Sequence, residues 1–265
     1  MERDSSVMNF FFCIPLMPKA NASDWEQVSK VFNQTLRSLD NQTNKSFQVL
    51  LAAQDMPEIA PDLKLDVVHL TPHWTVENLT NAKLRDKRWK RTLLLRAVRE
   101  RGGGYVMMLD ADDLVSNRLV DYVLKDGDPN GYIAETGYAY DWKANLIAPI
   151  PGVWGKGFDG VCGSCSVINF TLNDLPPLRG GDEAADYLAK HLKEHSGWKH
   201  VMREFGRPLK PLPFPAAIYV LNHDNNLHFS IAQHRQASLP RRIEARKVPL
   251  TPALIKEFAL PRPSS

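Results

Sequence analysis

The chain has 265 residues, of which 43% are hydrophobic and 24% are charged, and its formal net charge is +3. This composition is ordinary for a globular protein and excludes a disordered chain, and the length suffices for one large α/β domain or two small ones. The net charge is small and no basic stripe is interleaved with aromatic residues, so we expect no nucleic-acid partner. No apolar stretch approaches the roughly 18 residues that span a bilayer, so we also expect no membrane span.

The cysteine content indicates a reducing compartment. Cys13, Cys162 and Cys165 form no plausible disulfide framework, and an odd number of cysteines suits the cytoplasm, where we place the protein. Cys162 and Cys165 have C-x-x-C spacing, but a zinc site needs a second pair of ligands, and a redox motif needs a helix that starts after a strand. We therefore interpret the pair as part of a tight loop or the start of a strand.

The first half of the chain alternates apolar runs with amphipathic helices. Strands are predicted over residues 9–16, 47–55, 65–70 and 105–109. A helix of about four turns starts at Trp25, where apolar residues recur every three or four positions, and a cation-rich helix covers 83–101. Strands joined by helical crossovers indicate a mostly parallel sheet. The unbroken apolar run in 105–109 indicates a strand that is buried on both faces.

The second half has shorter and more aromatic segments. Strands are predicted at residues 132–134, 137–142, 146–149, 161–170 and 216–221, and helices at 114–124 and 184–195. Short strands between glycines and turns indicate antiparallel pairing. A proline-punctuated loop is expected over 201–214, and the proline-rich residues 236–265 are expected to form a surface or flexible tail.

Three carboxylates follow the buried strand at 105–109, at Asp110, Asp112 and Asp113. In an open α/β sheet, ligands bind outside the carboxyl ends of the strands. Side chains two positions apart on an extended chain point the same way, about 6.5 Å apart, so Asp110 and Asp112 can converge on one target. Carboxylates with this spacing suit Mg²⁺ or Mn²⁺ bridging phosphates. The alternative is that the acids only end the strand and that Asp113 caps the next helix.

Cations on the helix before this strand are candidates to contact a diphosphate. Lys87, Lys90 and Arg91 lie near its start, and cations together with a metal neutralise such an anion from both sides. The alternative for each of them is an ordinary solvated helix face.

Several aromatic residues in the second half suit stacking against sugar rings, with core packing as the alternative for each. They are Tyr138, Tyr140, Trp142, Trp154 and Phe158. The glycine-rich segment 151–160, which contains the last two, has the composition of a loop that closes over a ligand.

Together these segments resemble a GT-A nucleotide-sugar glycosyltransferase, in the layout of the family 2 type. The resemblance is carried by residues 11–15, 50–55 and 91–101, and by Gly103, Tyr105 and 109–113, which are similar to the family segment G-x-Y-x-x-x-L-D-A-D-D. It covers about residues 9–230. It implies a Rossmann-like α/β fold whose mostly parallel sheet is flanked by helices, with a smaller antiparallel portion on the acceptor side.

The resemblance implies a UDP- or GDP-sugar donor and a Mn²⁺ or Mg²⁺ cofactor. Pro15 would lie near the base and Asp55 would recognise it, while Asp110 would face both ribose and metal. Asp112 would ligate the metal and His223 would complete the metal site, with His228 as the weaker choice. Residues 1–113 would form the nucleotide-sugar-binding half, 114–235 the acceptor-binding and catalytic half of the same domain, and 236–265 the tail.

The implied reaction moves a sugar to a hydroxyl group of a glycan or another acceptor, with inversion at the anomeric carbon. Asp182 and Glu183 are similar to the acidic pair that supplies the general base, and either of them fits that role. Two alternatives remain from the sequence. One is a sugar-phosphate nucleotidyltransferase, although residues 16–20 lack the glycines of its usual loop, and the other is a nucleotide- or carbohydrate-binding protein without catalysis.

Overall fold

A computed structural model describes residues 9–74, 82–179, 197–223 and 238–261. Its strands are β1 Phe10–Pro15, β2 Gln48–Ala52, β3 Val67–Leu70, β4 Gly104–Met108, β5 Leu114–Val115, β6 Gly131–Ile133, β7 Gly137–Asp141, β8 Leu146–Ile150, β9 Ser166–Phe170, β10 Lys210–Pro211 and β11 Ala217–Leu221. Its helices are α1 Trp25–Asp40, α2 Ala82–Glu100, α3 Leu119–Asp126, α4 Trp198–Glu204, α5 Leu239–Arg246 and α6 Pro252–Phe258. Short 3₁₀ helices cover Lys19–Asn21, Phe158–Gly160 and Leu172–Asp174.

The strands form two sheets, one large and mostly parallel, the other smaller and mostly antiparallel. The large sheet has the order β10-β6-β9-β4-β1-β2-β3, and the small one has the order β5-β11-β7-β8. Strands β3, β2, β1 and β4 run parallel, whereas β9 runs antiparallel to both β4 and β6. The predicted mixed α/β class, with helices flanking the large sheet, is confirmed. Strands from both sides of residue 113 make up the large sheet.

The large sheet has a switch point between β1 and β4. From β1 the chain proceeds outward to β2 and β3, and α2 then returns it to β4 on the other side of β1. The connection after β1 therefore runs toward one edge of the sheet, and the connection that ends at β4 runs toward the other. A crevice opens between the carboxyl ends of β1 and β4, where the direction reverses. All six residues of β1 are buried, as are four of the five residues of β4, so apolar runs rather than alternating patterns specify these central strands. The residues after β4 therefore stand where such sheets bind ligands.

Two predicted elements differ from the structure because of tertiary contacts. The helix expected over 114–124 begins only at Leu119, because Leu114 and Val115 pair antiparallel with β11 and are fully buried. In the loop expected over 201–214, α4 continues to Glu204 and buries an apolar stripe that starts at Trp198, before the prolines begin. The helix expected at 184–195 lies outside the described residues.

The described part of the expected tail forms two helices that pack on the small sheet. Helix α5 contacts β7 and β8, and Phe258 and Leu260 at the end of α6 join the buried residues of that sheet. Two of its prolines, Pro240 and Pro252, stand in the first turn of these helices, where the missing N–H has no intrahelical partner to lose. Thr251 caps α6 by accepting a hydrogen bond from the Leu254 N–H. Where it is described, this segment is therefore helical and contributes buried residues to the core of the small sheet.

Within the described ranges, no helix is both long and apolar enough to cross a membrane.

Candidate functional site

The acids predicted to bind a ligand lie directly after β4, at the switch point. The Leu109 N–H donates to the Cys13 carbonyl and so extends the β1–β4 ladder by one residue. A turn follows, closed by the Asp113 N–H on the Asp110 carbonyl at 3.1 Å. The side chains of Asp110 and Asp112 are 25% and 26% exposed, whereas Asp113 is fully buried. Two of the three acids are therefore available to a ligand.

Asp110 is held from three directions. Its Oδ1 is 2.7 Å from Nζ of Lys87 on α2, and its backbone N–H donates to Oγ of Ser164 at 2.9 Å. Gly163 lies against the same carboxylate, since a Cβ at this glycine would stand 2.8 Å from Oδ2 of Asp110. The structure thus brings together Asp110 and Lys87, two residues that the sequence analysis placed in the donor site.

Asp112 contacts the histidine that was predicted to share its role. Nε2 of His223 lies 2.8 Å from Oδ2 of Asp112, and the histidine side chain is almost fully buried two residues after β11. The small sheet therefore carries His223 to the carboxyl end of the large one. Among the described residues, however, no three His, Cys, Asp or Glu side chains are grouped so as to hold a metal ion by themselves.

The sequence analysis allowed Asp113 to cap a helix, and the structure gives it a different role. A strand rather than a helix follows it, and its buried carboxylate accepts hydrogen bonds from the Cys162 thiol, the Ser164 hydroxyl and the Val220 N–H, at 3.1, 2.6 and 3.2 Å. Burial, and after it the charges of Asp112 and Asp110, raise the pKa of Asp113 well above its usual range. No periodicity in the sequence links Ser164 to Asp113, so sequence reasoning missed this contact.

The three candidate cations of α2 have different environments. Lys87 is partly exposed beside Asp110, and Arg91, one turn later and half-buried, lowers the pKa of Cys165 by its charge, against the larger effect of burial. Lys90 is buried, and its Nζ donates to the Leu16 carbonyl at 2.6 Å and to Asp86 at 2.7 Å. Burial lowers the pKa of Lys90 although Asp86 opposes the shift. Lys90 is therefore part of the fold, as its i,i+4 spacing from Asp86 could have indicated.

Lys90→Met is expected to lower the free energy of unfolding by about 2–3 kcal/mol. Among the described residues, the change leaves the buried Asp86 carboxylate with hydrogen bonds from Gln54 and Trp74 alone, at 2.9 and 3.0 Å. The double variant Asp86→Asn/Lys90→Met removes the uncompensated charge and should recover most of the loss. Urea unfolding measures both, and a single variant as stable as the wild type would contradict this role of Lys90.

Pro15 and Asp55 stand at the carboxyl ends of β1 and β2. Pro15 is buried and pairs with Ala52, and Oδ2 of Asp55 accepts a hydrogen bond from the Lys19 N–H at 2.8 Å. Both residues thus lie on the β1–β2 side of the crevice. Asp182, Glu183 and His228 lie outside the described residues.

The aromatic candidates are mostly core residues. Tyr140 and Phe158 are buried, and Tyr138 packs edge-on against Phe258. Trp154 differs, because its half-buried ring stacks on Tyr219 with ring centroids 6.0 Å apart. Burial first, and then Cys162 and the three acids, raise the pKa of Tyr219, so this stacked pair borders the acidic turn.

The three cysteines are buried thiols, and none of them forms a disulfide in the part of the chain that the structure describes. Burial is the largest cause of a raised pKa at each of Cys13, Cys162 and Cys165. A redox cysteine needs a lowered pKa and access to solvent, and these thiols have neither. Of the two interpretations of this pair, the tight loop is confirmed, because β9 begins only at Ser166.

We compared the chain with known proteins. No protein-family model and no curated protein matches the sequence. Among solved structures, the chain is similar to a "putative nucleotide-diphospho-sugar transferase" from Desulfovibrio desulfuricans G20, with 9% identity and a TM-score of 0.39 over 89% of this chain and 95% of that chain. So low a TM-score carries no argument, and the function proposed below rests on the site itself.

Proposed function

We propose that this protein transfers a sugar from a nucleoside-diphosphate sugar to an acceptor hydroxyl. The observation that carries the proposal is the pair of partly exposed carboxylates, Asp110 and Asp112, at the switch point of the large sheet, with Lys87 on one and His223 on the other. Nucleotides bind at this position of open α/β sheets. A site with both acids and cations suits a diphosphate whose charge is partly neutralised by a divalent cation.

The donor set fits Mg²⁺ or Mn²⁺. Such ions take one or two protein carboxylates and fill their other positions with water and substrate phosphates, so a complete three-residue protein cage is not required. Asp110 and Asp112 are the proposed oxygen ligands, and His223 is the proposed nitrogen ligand. The ion would stabilise, as a Lewis acid, the negative charge that develops on the departing diphosphate.

The remaining residues bind the donor and move one proton. Lys87 and Arg91 are proposed to contact the diphosphate, and Pro15 and Asp55 to contact the base of a UDP- or GDP-sugar. A general base takes the proton of the acceptor hydroxyl, which contributes about 10²–10⁴-fold to the rate. We assign that base to Asp182 or Glu183, with attack opposite the leaving group and inversion of the anomeric carbon.

The proposal is tested by titrating the protein with UDP and GDP in a calorimeter, with and without Mn²⁺, and then assaying hydrolysis of the matching nucleotide sugars. We expect one nucleotide to bind in a Mn²⁺-dependent manner and its sugar conjugate to be hydrolysed or transferred. Tight binding without turnover on any donor or acceptor would indicate a nucleotide-binding protein instead. The absence of binding by either nucleotide would refute the assignment of the crevice.

Lys87→Met is expected to lower kcat/KM for the donor about 10–100-fold, because it removes a charged hydrogen bond to the diphosphate. The free energy of unfolding should change by less than about 1 kcal/mol, since the Lys87–Asp110 pair is partly exposed. Arg88→Met is the matched control, because Arg88 is the exposed next residue of α2. Steady-state kinetics measure both variants. An equal loss of kcat/KM in the two would argue against a specific contact between Lys87 and the donor.

A further inference from the structure

We infer that Ser164, held by the buried carboxylate of Asp113, is a positioning residue that fixes Asp110 for donor binding. This inference rests on the proposed function, in which Asp110 contacts metal and donor. Neither Ser164 nor Asp113 touches the ligand in this scheme. Both act through Asp110, and three contacts support the assignment.

The first contact is made by the hydroxyl of Ser164, which accepts one hydrogen bond and donates another. It accepts the Asp110 N–H at 2.9 Å and donates its own proton to Oδ2 of Asp113 at 2.6 Å. A serine hydroxyl has a single proton, so donation to Asp113 leaves a lone pair for Asp110. Ser164 is fully buried, and so is its partner Asp113. The backbone at Asp110 is thereby anchored to the loop 162–165.

The second contact is the backbone of Gly163 against the Asp110 side chain. A Cβ at Gly163 would stand 2.8 Å from Oδ2 and 3.4 Å from Cγ of Asp110. With Lys87 on Oδ1, the carboxylate is confined between a cation and the loop. The absence of a side chain at residue 163 is therefore what lets Asp110 take this orientation.

The third contact joins the loop to the strand that leads to His223. Asp113 accepts the Val220 N–H on Oδ1, while its Oδ2 accepts from Ser164 and Cys162. Strand β11 ends one residue later, and His223 then contacts Asp112. One buried carboxylate therefore sets the spacing between the turn that bears Asp110 and the segment that bears His223.

The effect of Ser164→Ala on ligand affinity distinguishes a positioning role of Ser164 from a role in stability alone. If Ser164 only stabilised the fold, Ser164→Ala would lower the free energy of unfolding and leave the affinity of the folded protein unchanged. If it positions Asp110, the folded variant should also bind the donor nucleotide more weakly. Loss of an outer contact that orients a metal ligand typically costs about 10–100-fold in metal affinity.

The test combines two measurements on Ser164→Ala, with Ser166→Ala as the control because Ser166 is buried on β9 only two residues away. Amide hydrogen exchange of the ligand-free protein reports on the Asp110 N–H, and the Leu109 N–H, bonded to Cys13, serves as the internal reference. Calorimetry with UDP or GDP and Mn²⁺ reports on the site. Ser164→Thr keeps the hydroxyl and tests whether the hydroxyl restores exchange and affinity. Gly163→Ala disturbs the Asp110 carboxylate sterically, through the added Cβ.

We expect Ser164→Ala to accelerate exchange at Asp110 at least about tenfold relative to Leu109, and to raise the Kd for the Mn²⁺-nucleotide about 10–100-fold. Ser166→Ala should change neither the Asp110/Leu109 exchange ratio nor the Kd for the Mn²⁺-nucleotide by more than about twofold. Unchanged exchange at Asp110 would overturn the inference, and so would faster exchange with unchanged affinity. Hydrogen exchange needs no ligand, so it tests whether Ser164 anchors Asp110 even if the wild-type protein binds no nucleotide. A wild-type protein that binds no nucleotide would contradict the proposed function and not this anchoring.

Discussion

Asp112→Asn is expected to lower metal-dependent hydrolysis of the donor by about 10²–10³-fold. The substitution keeps the size and shape of the side chain but removes its negative charge, and a neutral amide is a weak ligand for Mn²⁺ or Mg²⁺. It also replaces the carboxylate that contacts His223, whose Nε2 lies 2.8 Å from Oδ2. Assays of nucleotide-sugar hydrolysis over a range of Mn²⁺ concentrations measure the effect.

Asp121→Asn is the control for this variant. Asp121 is a carboxylate on α3 that pairs with Lys125 at the surface, so its loss should leave hydrolysis within about twofold of the wild type. Unchanged turnover of Asp112→Asn with every nucleotide sugar that the wild type accepts would show that Asp112 does not bind the metal. A higher Mn²⁺ concentration for half-maximal activity, at an unchanged maximal rate, would instead assign Asp112 to binding the ion rather than to stabilising the leaving group.

The part of the fold that the sequence could predict is the part that local patterns specify. Buried central strands such as 105–109 are unbroken apolar runs, and the helix from Trp25 to Asp40 repeats apolar residues every three or four positions. The acids after β4 were found for the same reason, because they interrupt an apolar run at the end of a strand. Their place at the switch point, in contrast, follows only from the strand order of the structure.

What the sequence could not predict depends on contacts between distant segments. Ser164 and Asp113 are 51 residues apart, and nothing in the local sequence of either indicates the other. Leu114 and Val115 form a strand because β11 is there to pair with them. The i,i+4 spacing of Lys90 from Asp86 could indicate their ion pair, but only the fold shows that this pair is buried and that Lys87 reaches Asp110.

The C-terminal helix is the clearest case of a segment whose role only the fold reveals, and Phe258→Ala tests it. We expect the substitution to lower the free energy of unfolding by about 3–5 kcal/mol. The ring is buried in the cluster of the small sheet, which contains Tyr140, Ile218 and Val220, so truncation leaves a cavity that these neighbours cannot fill. Urea unfolding should show a lower midpoint at an unchanged slope.

Lys256→Ala is the matched control, because Lys256 is exposed on the same helix and its replacement should change stability by no more than about 0.5 kcal/mol. A loss below about 1 kcal/mol for Phe258→Ala would mean that residues 251–261 behave as the surface tail that their prolines suggested. A large loss of unfolding free energy would instead show that this segment belongs to the core of the small sheet. There Phe258 packs in one cluster with Ile218 and Val220 of β11, the strand that leads to His223. In that case hydrolysis should persist in Phe258→Ala at low urea and disappear with the unfolding transition.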